Sequence, residues 1–454
     1  MSHPAWKRLL VLLLLAGAMS CLSVARAATP LHRDILVFVP AYEGSQLFNP
    51  KLGDDPSDPI CVWGCYNVFF SAKRYFALRM PNPLEARPML AVGPIDIYRK
   101  FISTMSAPVV AEPSFTPYTP GADFFTFTYD WRQEIATVSA PQFGAALENY
   151  ARIHESKTGI PARETKFIIV AHSMGGLVAR TWLAEHPGLA SRVSRLYLVG
   201  TPNAGSVKAA HTLVIGPDTI DDYARGFPGA LLDAFPNDVD AHVTKLVGIT
   251  RPSLYELLPL GDPHWTAIQP DGERRRMSAD DVLRAAVWEP YWPSAELEKR
   301  LFLDGWLKDR AQKEDKPINP APWKFCQDPN YGKLKTILAQ VAHWRGIMGR
   351  LSATDQLLTR AGGPSRLRVV FSTGLLTPTG VVSHGEHDAA LADLIYESKD
   401  AGDGTVEGTR VLDDMTESSL AAEHLHNVAH GKLMIDPHFL AYFTHELANE
   451  PTLK

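Results

Sequence analysis

The chain has 454 residues, 45% hydrophobic and 21% charged, which is the make-up of a soluble globular protein with room for one elaborated domain or two. Its formal net charge is -5 and no basic block stands out, which argues against nucleic acid as a partner.

The first residues read as an export signal. Lys7 and Arg8 give the positive start, Leu9 to Ala18 the apolar run, and Ala25-Arg26-Ala27 a small-x-small cleavage site. That apolar run is too short to span a bilayer comfortably. Residues 1–27 are therefore expected to be removed, leaving a periplasmic or secreted protein. Cys21 ranks lower as a lipid-attachment site, because no large aliphatic residue stands three positions before it. Cleavage leaves Cys61, Cys65 and Cys326 in a compartment that permits disulfides. Cys61 and Cys65 are close enough to staple a loop, with Cys326 single; three buried free thiols are the alternative.

Asp34 to Val39 (DILVFV) predicts a strand. It runs into Pro40-Ala41-Tyr42-Glu43-Gly44-Ser45, a turn of small residues. Residues 49 to 94 read as a loop rich in Pro and Asp, with aromatics at Trp63, Tyr66, Phe69 and Phe70. Such a length suggests a lid or an interface-touching loop; the competing reading packs the aromatics on the body. Ile95 to Met105 predicts a helix and Asp123 to Thr128 a strand. Tyr129-Asp130-Trp131-Arg132 follows, its Asp130 and Arg132 expected to form a structural ion pair. Ala140 to Thr158 is a helix with Phe143, Leu147 and Tyr150 on one stripe.

The next stretch, KFIIVAHSMGGLVAR from Lys166 to Arg180, reads as strand, sharp turn and helix. Ala171-His172-Ser173-Met174-Gly175 fits small-x-Ser-x-Gly, the nucleophile elbow. A serine in so tight a turn is held in a strained conformation that small flanking residues permit. The turn lifts the Ser173 hydroxyl above the sheet edge and aims the Met174 amide at an oxyanion formed nearby. The second oxyanion amide would come from the turn after the early strand, at Tyr42.

Arg195 to Val199 is the next strand, and strands alternating with helices imply a mostly parallel sheet covered on both faces. From about Ala210 to Pro364 the alternation stops. Helical patterns and Pro-rich loops without clear strands suggest an inserted cap. Its Trp265, Trp288, Trp292, Trp306, Trp323 and Trp344 are candidates for an apolar cleft or for plain packing. Arg366 to Ser372 restores the strand pattern. Gly402-Asp403-Gly404 presents one carboxylate in a turn. His424 to Ala429 predicts a last short strand, followed by His430, and Phe439 to Leu447 a closing helix. The expected division is 1–27 signal, 28–209 first part of the core with the lid loop at about 49–94, 210–364 cap, and 365–454 second part of the core.

The order Ser173, Asp403, His430 is nucleophile, acid and base, with the long gap occupied by the cap. His424 and His426 lie near the same strand end and are rivals for the base. They would also share a strand face, which is a rival metal reading, as is His384-Gly385-Glu386-His387-Asp388. His424 and His426 carry no matching cysteine or carboxylate pattern, and the loop ranks with them below the triad reading, so no metal or organic cofactor is expected.

Together these blocks resemble the lecithin:cholesterol acyltransferase-like family, which includes lysosomal phospholipase A2 and the phospholipid:diacylglycerol acyltransferases. The resemblance rests on Val39 to Leu47, Tyr129 to Arg132, Ala171 to Gly176, Gly200-Thr201-Pro202 with Gly205-Ser206, Pro252 to Pro259, Gly402 to Val406, and His430. Ala41 and Ala171 stand where the family usually has glycine, and the Cys61–Cys65 spacing is shorter than the usual lid clamp. The resemblance implies an α/β-hydrolase fold with an interrupting cap, acting on lipid or other acyl esters through Ser173, Asp403 and His430. The reading is an exported serine hydrolase of the lipase or esterase type, in transient contact with a lipid interface. Its rivals are an O-acyltransferase using the same acyl-enzyme, an amidase or peptidase sharing the triad, and a non-catalytic binding protein on the same fold.

Overall fold

The computed structural model describes residues 34–50, 59–65, 77–78, 80, 83–214, 247–262, 264–268, 271–289, 292, 331–359, 364–384 and 398–449. The expected export signal, Cys21, Cys326, Tyr66, Phe69, Phe70, Trp306, Trp323 and the histidine-bearing loop beyond His384 lie outside these residues.

Six parallel strands form the central sheet. They are β1 (Asp34–Val39), β2 (Phe124–Thr126), β3 (Lys166–His172), β4 (Val193–Val199), β5 (Leu367–Thr373) and β6 (Ala421–His426). Their spatial order is β6-β5-β4-β3-β1-β2. The near-continuous apolar runs of β1, β3 and β4 follow from burial of both sheet faces. Alternate residues divide between two cores. Ile35, Val37, Val39, Phe167, Ile169 and Ala171 join one. That core includes Phe143 and Leu147 of α2 (Ala140–Thr158) and Leu177 and Trp182 of α3 (Met174–Glu185). Leu36, Phe38, Ile168 and Val170 join the other, with Phe101 and Met105 of α1 (Arg99–Met105) and Phe439 and Phe443 of the last helix, Pro437–Ala448.

Several boundaries differ from the sequence reading. The helix expected from Ile95 starts at Arg99, because Ile95 and Asp96 pair with Val92 and Ala91. The Asp96 carboxylate then accepts from the Arg99 amide at 2.9 Å and opens the helix. The last strand spans Ala421–His426 and not 424–429. It is an edge strand, half-exposed, so it carries no apolar run to mark it. The chain leaves the sheet at Asn427, whose φ is 58°.

The stretch 49–94 is less loop-like than expected. Ile60–Trp63 and Glu85–Pro88 flank Ser45–Asn49 in an antiparallel sheet. Cys61 and Cys65 are joined by a disulfide. Trp63 is buried, packed edge-on against Trp131 with centroids 5.4 Å apart, and its indole donates to the Glu43 carbonyl.

Between α4 (Val207–Val214) and β5 the described helices are α5 (Pro252–Glu256), Ala285–Trp288, α6 (Gly332–Met348) and α7 (Leu351–Leu358). Contrary to expectation this region also holds strands. Trp265–Ile268 pairs antiparallel with Arg274–Arg276 and parallel with Val381–His384. Both are short, and one is a run of three exposed arginines, so no apolar alternation announced them. Trp265, Trp288, Trp292 and Trp344 are all buried, with Trp265 against Trp288 at 5.5 Å. These four serve packing.

Candidate active site

The end of β3 and the start of α3 form the elbow. Ser173 has φ 53° and ψ -125°, a conformation that L residues rarely adopt. Its amide donates to the Val199 carbonyl on β4 at 2.8 Å, which holds the turn against the neighbouring strand. The two glycines after Met174 are required by close approach. A Cβ on Gly175 would lie 2.6 Å from the carbonyl oxygens of Val39 and Pro40, and one on Gly176 would lie 2.0 Å from Thr201 Oγ1. Only bare backbone lets α3 sit this close to the end of β1.

Ser173, Asp403 and His430 meet although His430 is 257 residues from Ser173 in sequence. The Ser173 Oγ is 2.8 Å from His430 Nε2, and His430 Nδ1 is 2.7 Å from Asp403 Oδ2. The other Asp403 oxygen accepts from the amides of Thr405 and Val406 at 2.9 and 2.8 Å. This is the glycine-flanked turn of Gly402 and Gly404, closed by an Asp403 N–H bond to the Val406 carbonyl. The His430 amide donates to the Asp403 carbonyl at 2.9 Å, so backbone and side chain both tie the two residues together. Asp403 is only 1% exposed, and both acceptor directions of its Oδ1 are filled by backbone donors, which fixes its orientation.

The other histidines are placed elsewhere. His424 Nε2 pairs with Thr373 Oγ1 at 2.8 Å, its Nδ1 lies 3.4 Å from Glu417, and its ring stacks on Phe371. The His426 ring lies tilted against His424, with centroids 4.2 Å apart. Among the described residues no group of three or more His, Cys, Asp or Glu side chains gathers as a metal site would.

Tyr42 lies in the Ala41–Gly44 turn, closed by a Gly44 N–H to Ala41 carbonyl bond of 2.9 Å. Met174 is the first residue of α3. Val39 is the register partner of Ala171, so the turn and the elbow leave adjacent strands side by side. The Tyr42 phenol is taken up by Arg251, 2.6 Å away, whose guanidinium also meets Glu43 at 3.3 Å and lies over the Trp131 ring. Asp130 and Arg132 form a two-point ion pair with Arg132 fully buried.

Sequence reasoning overlooked Tyr98, His172 and Arg251. His172 sits inside the elbow motif, so its place was visible even though its partners were not. It is buried and bonds Tyr98 Oη at 2.9 Å and the His430 carbonyl at 3.0 Å. Burial, with the His430 ring nearby, holds the His172 imidazole well below its usual range. Burial raises the Tyr98 phenol above its own. Both groups are therefore neutral.

The model of the family described as lecithin:cholesterol acyltransferase matches residues 77–223, a range that contains the elbow. Over that stretch the chain is similar to that family. An uncharacterised protein of Saccharomyces cerevisiae is 30% identical over 112 residues, which is 25% of this chain and 14% of that protein. The match thus spans a small part of that relative's length. Among solved structures, a chain of the Tle4–Tli4 complex superposes with a TM-score of 0.58 at 13% identity, over 91% of this chain and 97% of that one. At that identity the likeness is one of fold. The fold is that of an α/β-hydrolase. Among the described residues no helix is long and apolar enough to cross a membrane.

Proposed function

We propose that the chain is an exported serine hydrolase that cleaves carboxylic esters, above all lipid esters, through an acyl-enzyme on Ser173. The observation that carries this reading is the unbroken hydrogen-bonded line from Asp403 Oδ2 through the His430 ring to Ser173 Oγ. With Nδ1–H donated to Asp403, the Nε2 of His430 is left as the acceptor for the Ser173 proton. Ser173 Oγ attacks the ester carbonyl, and its proton passes to His430 Nε2. Asp403 stabilises the imidazolium. The amides of Met174 and Tyr42 hold the oxyanion. Collapse returns the proton to the leaving alkoxide, and water repeats the sequence on the acyl-enzyme.

The match to the lecithin:cholesterol acyltransferase family supports a lipid ester as substrate, and a lipid interface as the place where it is met. It also favours one second reading, an O-acyltransferase. The same acyl-enzyme then passes its acyl group to an alcohol, so the difference lies in the acceptor alone. The test labels the purified protein with a fluorophosphonate beside Ser173→Ala, then assays p-nitrophenyl esters with and without an added alcohol. Ser173-dependent labelling with free acid as product supports the hydrolase. Transfer to the alcohol in preference to water supports the acyltransferase. A folded Ser173→Ala variant that still turns over ester removes both readings.

A further inference from the structure

Two halves of the site come from separate parts of the chain. The turn bearing the Tyr42 amide follows β1, and His430 follows β6, at opposite sides of β3 in the sheet. A tetrahedral intermediate needs both in register to within a fraction of an ångström. One hydrogen-bonded chain runs between them. The Ala41 amide lies 3.2 Å from Tyr98 Oη, Tyr98 Oη lies 2.9 Å from His172 Nδ1, and His172 Nε2 lies 3.0 Å from the His430 carbonyl oxygen.

The proton positions in this chain have a single solution. A backbone amide only donates, so Tyr98 Oη accepts from Ala41 and spends its own proton on His172 Nδ1. A carbonyl only accepts, so His172 carries its proton on Nε2 and donates to His430. Every polar atom of the two side chains is then used. Adding a second proton to His172 would set an Nδ1–H against the Tyr98 hydroxyl hydrogen and break the chain. It would also put a positive charge beside the His430 ring, whose centroid is 5.1 Å away and which takes up a proton in the reaction. Edge contacts fix the rings as well: Phe38 meets Tyr98 at 4.8 Å, and Tyr98 meets His172 at 5.8 Å.

We propose that Tyr98 and His172 are positioning residues, a relay that locks the turn carrying the Tyr42 amide to the backbone of His430 through the residue preceding the nucleophile. The proposal rests on the serine-hydrolase reading and adds to it the device that keeps oxyanion turn and base in register. Neither side chain touches the reacting atoms. Their effect is on geometry, so it falls on the chemical step and not on substrate binding.

The test compares Tyr98→Phe, His172→Asn, His172→Gln and the double variant Tyr98→Phe/His172→Asn with the full-length protein and Ser173→Ala. Each is checked by near-ultraviolet circular dichroism and urea unfolding, then assayed for kcat and KM on a p-nitrophenyl ester and for its rate of fluorophosphonate labelling. Tyr98→Phe and His172→Asn cut the relay at different bonds. Each should lower kcat and the labelling rate about 10–100-fold at unchanged KM, the scale of a sub-ångström to 1 Å misplacement. Because both cut one chain, the double variant should be no worse than about threefold below the poorer single. His172→Gln returns an N–H near the position of Nε2 and a carbonyl oxygen that can accept from the Tyr98 hydroxyl, so it should recover most of the rate. Normal kcat in both folded single variants, or losses that multiply in the double, would overturn the relay. So would a failure of Gln to outperform Asn. Those results leave Ser173 labelling intact, and so leave the hydrolase reading standing. Turnover by Ser173→Ala would instead remove the reading and the relay together.

Discussion

Gly175→Ala tests whether the spacing between α3 and the end of β1 sets the oxyanion geometry. The added Cβ would lie 2.6 Å from two backbone oxygens, those of Val39 and Pro40, and 2.9 Å from the Val39 side chain. Backbone carbonyls have no rotamer to change. Ordinary contact begins at 3.4 Å, so the start of α3 must retreat by roughly 0.4–0.8 Å from the turn that follows β1. That movement separates the two amides assigned to the oxyanion, Met174 on the helix and Tyr42 on the turn. Losing one oxyanion donor costs on the order of 2.7–4 kcal/mol of transition-state stabilisation, about 10²–10³-fold in rate. Overpacking itself costs about 1–3 kcal/mol of stability, which leaves a folded protein to assay. The measurement is kcat/KM on a p-nitrophenyl ester beside urea unfolding, with Gly188→Ala as control, because a Cβ there meets nothing within 4 Å. The expected outcome is a fall of about 10²-fold or more in kcat/KM for Gly175→Ala and no change for the control. Activity within about threefold of the parent in a folded Gly175→Ala protein would refute the argument that close approach of helix and turn builds the oxyanion site.

Asp403→Asn should preserve the fold and remove the activity. The Thr405 and Val406 amides hold one oxygen, so the new amide nitrogen faces His430 Nδ1 and donates to it. Nδ1 must then accept, the ring proton moves to Nε2, and Ser173 loses its base; a fall of about 10⁴-fold in kcat is expected, and a loss under tenfold would contradict the assigned tautomer. The buried carboxyls and imidazoles predict a pH signature in stability. Burial above all raises Glu256 well above the carboxylate range, with its carboxyl accepting from the Ile135 amide at 2.8 Å. The unfolded chain therefore releases this proton first, and stability present below pH ~4.5 declines as pH rises, by about 1.4 kcal/mol per pH unit. His172 and His211, the latter pulled down to about 4 by burial, act in the opposite sense, losing stability as pH falls below ~6.5. Glu256→Gln should thus unfold at higher urea than the parent by a margin that grows from pH 5 to 7; a margin constant with pH would show that Glu256 does not titrate on unfolding.

What the sequence revealed followed local pattern. β1 and α2 match their predicted spans, because a run such as DILVFV needs two covered faces and because the Phe143–Leu147 stripe ends at Gly159, a left-handed cap with φ 76°. The elbow was legible because small residues around Ser173 answer a steric demand written into five consecutive positions. Ser173, Asp403 and His430 were named from order and turn chemistry, and the structure brings all three within hydrogen-bonding distance. The strand before His430 was misplaced because an edge strand needs no apolar alternation. Trp265–Ile268 was missed because a four-residue strand beside a run of arginines has no periodicity to read. Tyr98 and Arg251 carried no local sign at all. Tyr98 meets His172 across 74 residues of sequence, and Arg251 meets Tyr42 across 209. Their roles arise only when distant segments are packed.

The long excursion between β4 and β5 leaves and re-enters the sheet at adjacent strands, with Leu196 opposite Leu367. Its roots are clamped: Ser206 Oγ donates to the Thr405 carbonyl, the Ala204 amide to the Arg410 carbonyl, and Asn203 Nδ2 to the Val411 carbonyl. With the ends pinned, chain entropy responds only logarithmically to what lies between, about 0.6 kcal/mol for each doubling of length. Lengthening the excursion between its clamped ends therefore costs the fold little. Its length can change at small entropic cost while the strand ends that carry Ser173, Asp403 and His430 stay put. Several contacts limit exchange of the whole excursion: Trp265–Ile268 pairs with Val381–His384, Glu256 accepts from the Ile135 amide, and the Trp344 indole donates to Thr181. Arg251 also reaches out of the excursion to the Tyr42 phenol, so a graft that discards this arginine discards an anchor of the turn beside Ser173.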